Sequence, residues 1–313
     1  EYSLSPEVGS ENISVLHHDI RDMFDDGDYL WVGTKLGITV IDFVADKSTD
    51  YNLPQGHDLH DLILLDDHAV MITEKGVWVS GKDDGMLDDI MQWQYFPGRY
   101  TAGAQLVAGG GDEYIIALGY DGFGSVFQIN GVSVTEYSIG NGISNAMNAG
   151  NATATSIVHV TVESGPTTLF IGTDVGMLTV ETSSARDEAI PNWRFYFSTE
   201  STQVATDIED LRVIGPEVNK NPATVNALLA DGPNGGESQV VWIGTPSGLH
   251  RLDLLSGFLT HSGDYSHQGV DGATVDQAND INSIFSTGGE ILVGSSWGLW
   301  TLNGGYAAVY GMT

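Results

Sequence analysis

The chain has 313 residues and a formal net charge of −31, because 42 acidic side chains are set against only 11 basic ones. A field of that sign repels nucleic acid and anionic lipid, so neither is an expected partner. The absence of cysteine excludes a disulfide scaffold and a zinc-thiolate site, and no apolar run reaches the roughly 18 residues that membrane insertion as a helix requires.

The first residues of the chain lead to two expectations. The chain begins at Glu1 rather than Met and shows no signal peptide, which indicates a processed form or a fragment. Tyr2-Ser3-Leu4 resembles the last strand of a sheet without the strands that should precede it. It is expected either to complete the final sheet of the chain or to be the remnant of an upstream repeat.

A sequence repeat then dominates the chain. Two apolar residues, Gly, Thr or Ser, two variable residues and a second Gly precede an apolar strand, clearly so at 31–42, 170–180, 242–253 and 292–302. Self-similarity at a period of roughly 40 to 50 residues indicates a repeat architecture. Helical periodicity is missing, and short runs rich in Val, Ile, Thr and aromatic residues indicate an all-β fold.

Each repeat divides into four strands, here called a to d. Strands b and c are apolar at successive positions, so both faces of each sheet are expected to be covered, as in sheets stacked around an axis. The sequence therefore predicts a single β-propeller domain over 1–313, with four-stranded blades, six recognisable and six or seven in total. The blades are expected at 13–53, 54–98, 100–138, 154–198, 223–262 and 279–310, with an insertion at 198–222 whose segment 207–214 is a surplus strand or a decayed seventh repeat.

The hairpin between strands b and c has a local cause. Thr34-Lys35-Leu36-Gly37 suits a tight turn that ends on a residue with positive φ, which glycine adopts without strain. The threonine hydroxyl is expected to bond back to the turn backbone. Gly33 is expected to remove a side chain where the backbone approaches a neighbour or bulges.

These residues resemble a known family. Trp-Val-Gly-Thr-x-x-Gly-Ile at 31–38, its counterparts at 242–253 and 293–299, and the lead-in Asp25-Asp26-Gly27-Asp28 are similar to the two-component-regulator propeller repeat. The resemblance implies a β-propeller of extracytoplasmic type, often a sensor or surface ectodomain. It does not imply catalysis, because the repeated residues are structural.

In a propeller the b–c hairpins and the d–a connectors share one face, and the sequence places two sets of residues there. Acids immediately before Ile or Leu at the start of strand a are expected to point toward the channel mouth, and apolar residues occupy hairpin tips. A polar mouth with apolar tips predicts a contact surface for a protein or carbohydrate ligand, whereas the simpler alternative is that the acids bond the backbone at strand entry. The acids are Asp19, Asp61 and Asp280, and the tips are Leu36, Val175 and Trp297.

Acidic turns on the opposite face suggest a cation site. The segment 83–89 has four carboxylates around Gly85, and Ca²⁺ takes six to eight oxygen ligands on flexible loops. The spacing is not that of an EF-hand, so a solvated acidic turn is the alternative. The ligands in question are Asp83, Asp84, Asp88 and Asp89.

One d–a connector combines side chains of the kind that transfer protons. His261, Asp264, Tyr265 and His267 would suit proton abstraction, as in polysaccharide lyases built on propellers, or metal binding. A mobile polar loop is the simpler alternative. No nucleophile elbow, phosphate loop or zinc-protease motif accompanies these residues.

The sequence therefore predicts a non-enzymatic, extracytoplasmic β-propeller that acts as a binding or assembly module of a cell-surface or sensor protein. Two alternatives stay open. One is a carbohydrate-active enzyme that uses the connector around His267. The other is a structural subunit of a surface layer or filament, in which exposed strand edges would make the contacts.

Overall fold

The structure is a computed structural model, and it divides into two compact units. The first unit comprises Glu1–Gln105 and Gly111–Ser138, and the second comprises Leu106–Gly110 and Ile139–Thr313. The residues that the structure describes are 2–3, 14–15, 19–25, 27, 29–42, 47–82, 93–106, 113–120, 123–139, 143, 147, 152–162, 167–174, 176–182, 195–196, 224–231, 237–246, 248–255, 259–263, 280–287, 290–295, 298–303 and 306–310.

The first unit contains a short strand pair and three four-stranded antiparallel sheets, each in sequential strand order. The pair is β1 (Tyr2–Ser3) with β2 (Ser14–Val15). Sheet 1 is β3 (Ile20–Asp25), β4 (Tyr29–Thr34), β5 (Gly37–Asp42) and β6 (Lys47–Asn52). Sheet 2 is β7 (Leu59–Leu64), β8 (His68–Thr73), β9 (Gly76–Gly81) and β10 (Gln94–Pro97). Sheet 3 is β11 (Tyr100–Leu106), β12 (Glu113–Gly119), β13 (Gly124–Asn130) and β14 (Ser133–Ser138).

The second unit repeats this arrangement. Sheet 4 is β15 (Ala154–Val162), β16 (Thr167–Thr173), β17 (Gly176–Thr182) and β18 (Phe195–Tyr196). Sheet 5 is β19 (Ala227–Asp231), β21 (Val240–Thr245), β22 (Gly248–Asp253) and β23 (Leu259–Gly263). Sheet 6 is β24 (Ile281–Thr287), β25 (Glu290–Ser295), β26 (Gly298–Asn303) and β27 (Tyr306–Tyr310). The loop between β19 and β21 supplies β20 (Glu237–Ser238), which pairs in parallel with β15 as a fifth strand of sheet 4.

Apolar side chains join consecutive sheets within each unit. Sheets 1 and 2 enclose a cluster that includes Trp31 and Met71, and sheets 2 and 3 enclose another that includes Ile72 and Phe127. Two similar clusters lie between sheets 4 and 5 and between sheets 5 and 6. Every residue of β8 is buried, because a strand with covered faces on both sides has no solvent side. The prediction of an all-β propeller with four-stranded blades is confirmed.

The hairpin signature forms the contacts that the sequence predicts. In four hairpins the threonine hydroxyl donates a hydrogen bond to the carbonyl of the closing glycine, at 3.1 Å from Thr34, 2.8 Å from Thr73, 2.7 Å from Thr173 and 3.0 Å from Thr245. Gly37 has a φ of 145°, a conformation that residues with a Cβ rarely adopt.

The glycine before that threonine is a socket for the next sheet. A Cβ built on Gly33 would lie 2.9 Å from Leu59, the first residue of sheet 2, and one built on Gly244 would lie 2.7 Å from Ile281, the first residue of sheet 6. Sheet 2 inverts this arrangement, because Ile72 replaces the glycine and the facing residue of sheet 3 is Gly103, whose Cβ would lie 2.7 Å from Ile72. Paired small and large residues keep the sheets at contact distance.

The start of the chain differs from the expectation that Tyr2-Ser3-Leu4 completes the final sheet. Tyr2 pairs with Val15 in β2, and sheet 6 obtains its fourth strand from β27. The first segment therefore does not complete the final sheet. At the start of the first predicted blade, β2 pairs with β1, and β3 is the first strand of sheet 1.

Several expectations fall outside the described residues. They include the insertion 198–222 with its segment 207–214, so the total number of blades stays a prediction, as does the single domain over 1–313. Within the described residues, no helix is both long enough and apolar enough to cross a bilayer.

Candidate functional site

The hairpin end of the first unit concentrates exposed apolar side chains. We define it as the end of sheets 1 to 3 that carries the turns between the second and third strands and the connectors entering β7 and β11. In the described part of the chain seven large apolar side chains are exposed, and five of them lie at this end. The five are Ile20, Leu36, Tyr95, Tyr120 and Phe123.

Basic side chains collect at the same end. Four of the seven described lysines and arginines lie there, namely Arg21, Lys35, Lys75 and Arg99. Three of them have acidic neighbours, with Arg21 at 2.8 Å from Asp19, Lys35 at 3.1 Å from Asp58 and Lys75 at 3.6 Å from Glu74. Exposed pairs of this kind add little stability. In a chain of net charge −31, however, they bring positive charge to the hairpin end that offsets the charge of its acids.

Aromatic rings extend this surface across sheets 2 and 3. Tyr95 lies 4.5 Å from Trp78 and 5.4 Å from His57 between ring centroids, and its hydroxyl donates to the carbonyl of Lys75 at 2.7 Å. The guanidinium of Arg99 lies 5.3 Å from the centroid of Tyr120. Burial lowers the pKa of His57, and Lys75 lowers it further, so the ring is neutral at pH 7.

Two of the predicted acids occupy equivalent places and the third does not. Asp19 directly precedes β3 and Asp280 directly precedes β24, and both stand 15 residues before the hairpin Thr or Ser. The residue in that place in sheet 2 is Asp58, because Leu59 pairs with Thr73 as Ile20 pairs with Thr34. Asp61 lies inside β7, at the place that Asp22 rather than Asp19 occupies in β3.

The predicted acids make contacts within the protein. Asp19 accepts from Arg21 at 2.8 Å, and Asp280 accepts from the amide of Asn226 at 3.3 Å. Asp61 accepts a hydrogen bond from the backbone N–H of Gly103 in sheet 3, at 3.0 Å. The partner of Asp61 lies inside a strand of the next sheet, so this contact is not the bonding of backbone at strand entry that was the alternative explanation.

Asp61 belongs to a repeated contact between sheets. A β-bulge near the start of the first strand places the next residue against the following sheet, and this occurs in β3, β7 and β15. Asp22 accepts from the N–H of Leu62 at 3.3 Å, and the hydroxyl of Ser156 accepts from the N–H of Leu228 at 3.0 Å. The same position therefore joins sheet 1 to 2, sheet 2 to 3 and sheet 4 to 5.

In the first unit this arrangement brings two carboxyl groups together. Asp22 and Asp61 are hydrogen-bonded to each other, and both are partly buried. Burial raises the pKa of Asp22 well above its usual value, and the charge of Asp61 raises it further. Burial also raises the pKa of Asp61 to about 6, although the N–H of Gly103 acts in the opposite direction. Both shifts therefore favour a proton held by the pair at pH values where an ordinary aspartate is already ionised.

His60 precedes Asp61 at the bulge of β7. Burial lowers its pKa, and the charge of Arg21 lowers it further. The imidazole is therefore neutral at pH 7 and supplies no positive charge to offset Asp22 and Asp61.

The remaining predicted residues divide by what the structure describes. Leu36 is a hairpin tip and 44% exposed. His261 lies in β23, and nothing is described of its side chain. Within the described residues no group of three or more His, Asp or Glu side chains is placed to hold a metal ion. Outside the described residues are Val175, Trp297, Asp83, Asp84, Asp88, Asp89, Asp264, Tyr265 and His267.

Sequence reasoning missed Asp22, Tyr95, Tyr120 and Phe123. A signal for Asp22 was present, because Asp22 and Asp61 each stand 12 residues before their hairpin threonines, Thr34 and Thr73. The exposed rings carried no such signal, because aromatic residues in a β-rich sequence are as common in the core as on the surface.

Comparison with known proteins identifies solved structures with a similar fold. No family model matches the chain, and no curated protein sequence matches it. Among solved structures, the extracellular domain of the putative hybrid two-component system BT4673 from B. thetaiotaomicron is 18% identical with a TM-score of 0.54, over 93% of this chain and 32% of that one. The corresponding domain of BT3049 from the same organism is 13% identical with a TM-score of 0.53, over 96% of this chain and 42% of that one. A catalytically inactive virginiamycin B lyase from Staphylococcus aureus, with quinupristin, is 11% identical with a TM-score of 0.55, over 96% of this chain and 87% of that one.

At these identities the likeness concerns the fold. The predicted resemblance to the propellers of two-component regulators is confirmed at that level, because extracellular domains of such systems are among the similar structures. The chain spans about a third of the length of the BT4673 domain.

Proposed function

We propose that this chain is a non-enzymatic, extracytoplasmic β-propeller with six recognisable blades, six or seven in total, that serves as a binding or assembly module of a cell-surface or sensor protein. The observation that carries the proposal is the hairpin end of the first unit. In the described part of the chain, five of the seven exposed large apolar side chains and four of the seven basic side chains lie there. The likeness to extracellular sensor domains supports an extracytoplasmic location.

The contact surface is the hairpin end. Exposed apolar side chains that cluster at one end of a soluble protein mark a site where another molecule is bound. Aromatic residues and arginine are enriched at the energetic centres of such sites, which Tyr95, Tyr120 and Arg99 satisfy. Asp19 and Leu36 lie at the same end, and in the second unit Asp280, Val175 and Trp297 are proposed to play the same part. Asp61 is assigned instead to the contact between sheets 2 and 3.

The ligand is proposed to be a carbohydrate or a protein, and one experiment addresses each. Binding of the full chain to an array of neutral and acidic oligosaccharides is compared with that of Tyr120→Ala/Phe123→Ala. We expect the double variant to lose about tenfold or more in affinity, as removal of an aromatic centre does. The matched control is Val132→Ala, which is 77% exposed at the opposite end of sheet 3.

A protein partner is tested by placing a photoreactive phenylalanine analogue at position 36 or at position 132 and identifying cross-linked proteins by mass spectrometry. Recovery of one defined partner from position 36 alone supports the proposal. Equal loss of glycan binding in the control variant, or the same products from both positions, contradicts it.

The enzymatic alternative is tested by a different experiment. Turnover of polysaccharides by the full chain that is lost in His267→Ala would refute the non-enzymatic proposal. We expect no turnover of any member of a polysaccharide panel.

A further inference from the structure

Two acids on the first strands of neighbouring sheets occupy a position that is neutral elsewhere. Asp22 in β3 and Asp61 in β7 are hydrogen-bonded to each other, and each also accepts a backbone N–H from the next sheet, from Leu62 and Gly103. In sheet 4 the same position is Ser156, which accepts the N–H of Leu228 without carrying charge. A serine is therefore sufficient for the contact between sheets. The two acids add a hydrogen bond to each other and a titratable charge.

We propose that Asp22 and Asp61 form a shared-proton site that holds sheets 1, 2 and 3 together at the hairpin end, so that this seam loosens when the proton is lost. A hydrogen bond between two carboxyl groups requires a proton on one of them. When both are ionised, the bond is replaced by repulsion between two negative charges at contact distance.

The titratable groups described around Asp22 and Asp61 do not neutralise the two carboxylates, so the shared proton does. On β3 the neighbouring charges are Asp19 and Arg21, which pair with each other at 2.8 Å. On β7 the neighbouring group is the neutral His60, and Lys35 is engaged by Asp58 at 3.1 Å. On β11 the titratable group is Tyr100, whose pKa burial raises to about 12, and on β4 the residue next to Asp22 is Gly33, which has no side chain. Within the described residues, no lysine or arginine offsets the charge of either acid.

The direction of the pH dependence follows from proton binding. Both groups have a higher pKa in the folded protein than the ordinary aspartate value of 3.8, so the folded state binds more protons than the unfolded state above about pH 4. Stability contributed by the pair is present at low pH. It is lost as the pH rises through the raised pKa values of the two groups, of which that of Asp61 is about 6. This is the reverse of ordinary acid denaturation.

Melting of the full chain at pH 5 and pH 8 tests the proposal, and it does not depend on the proposed function because no ligand is involved. Asp22→Asn keeps an acceptor for Leu62 and supplies an N–H to Asp61, so it imitates the protonated state at every pH. We expect a lower melting temperature for the wild type at pH 8 than at pH 5, and a much smaller difference for Asp22→Asn. Asp67→Asn, a change of the same charge at an exposed turn, is the matched control and should retain the wild-type difference. An unchanged pH difference in Asp22→Asn overturns the proposal.

Amide hydrogen exchange in the wild type gives a second test that needs no variant. The amides of Leu62 and Gly103 report the two acid contacts, and the amide of Leu228 reports the neutral contact at Ser156. After correction for intrinsic exchange, we expect protection of Leu62 and Gly103 to fall above pH 6 by up to about tenfold per pH unit, as loss of one proton allows. Protection of Leu228 should not follow. Parallel behaviour of all three amides overturns the shared-proton site.

Discussion

At the scale of single residues, the contact between a glycine and a residue at or just before the start of the next sheet determines how closely the sheets pack. Gly33 receives Leu59, Gly172 receives Val225, and Gly244 receives Ile281. Because Leu59, Val225 and Ile281 are fully buried, the sockets leave no space for a further methyl group. In sheets 1, 4 and 5 the glycine that marks the repeat in the sequence is thus required by packing between sheets.

Gly244→Ala is predicted to destabilise the protein. Its Cβ would lie 2.7 Å from Cγ2 of Ile281, and overpacking of this kind costs about 1–3 kcal/mol. Denaturant unfolding followed by tryptophan fluorescence measures the loss. Combination with Ile281→Ala removes the clashing methyl group, so the double variant should lose less than the sum of the two single variants. Strict additivity would argue against the socket.

At the scale of elements, polar groups tie sheets 2 and 3 at the end opposite the hairpins. Nδ1 of His68 in β8 lies 2.5 Å from Oε2 of Glu113 in β12, and its Nε2 lies 2.8 Å from the carbonyl of Gly131. The other carboxylate oxygen of Glu113 accepts the N–H of Asp66 at 2.8 Å. One carboxylate therefore joins a strand and a turn of sheet 2 to the first residue of β12.

Glu113→Ala is predicted to lower stability by about 1–3 kcal/mol, because it leaves the buried His68 and the N–H of Asp66 without their acceptor. The measurement is the unfolding midpoint in denaturant. Glu74→Ala is the matched control, since Glu74 makes only an exposed pair at 3.6 Å with Lys75. An effect of Glu113→Ala no larger than that of the control would show that the tie between sheets 2 and 3 does not contribute.

At the scale of the whole molecule, the net charge of −31 opposes the folded state, because like charges are closer together in it than in the unfolded chain. Added salt screens this repulsion over about 10 Å at 0.1 M. A propeller with so few basic residues is therefore expected to depend on ionic strength more than a protein of balanced charge.

The melting temperature is accordingly predicted to rise with NaCl concentration. At matched ionic strength, a further rise with CaCl₂ would assign ion binding to the acidic turn that contains Asp83, Asp84, Asp88 and Asp89, provided that Asp84→Asn/Asp88→Asn abolishes it. The same midpoint in both salts would leave that turn as solvated surface. A melting temperature that falls with NaCl would contradict the repulsion argument.

The sequence by itself determined the strands and their grouping. The hairpin from Trp31 to Asp42 follows from a turn glycine, a turn threonine and apolar strands on either side, and all of these signals lie within one repeat. The same short-range pattern allowed the degenerate repeat at Leu59 to Gly81 to be recognised. Local signals suffice for these elements because antiparallel neighbours are joined by short turns.

Only the tertiary structure decided which side chains meet across sheets. It moved Asp61 from the contact surface to the seam with Gly103, paired it with Asp22, and brought Tyr95, Tyr120 and Arg99 to one end. These contacts join residues about 20 to 40 positions apart, and a bulge of one residue changes which side chain faces the next sheet. A repeat pattern specifies each sheet, but the register between sheets depends on packing that no single repeat contains.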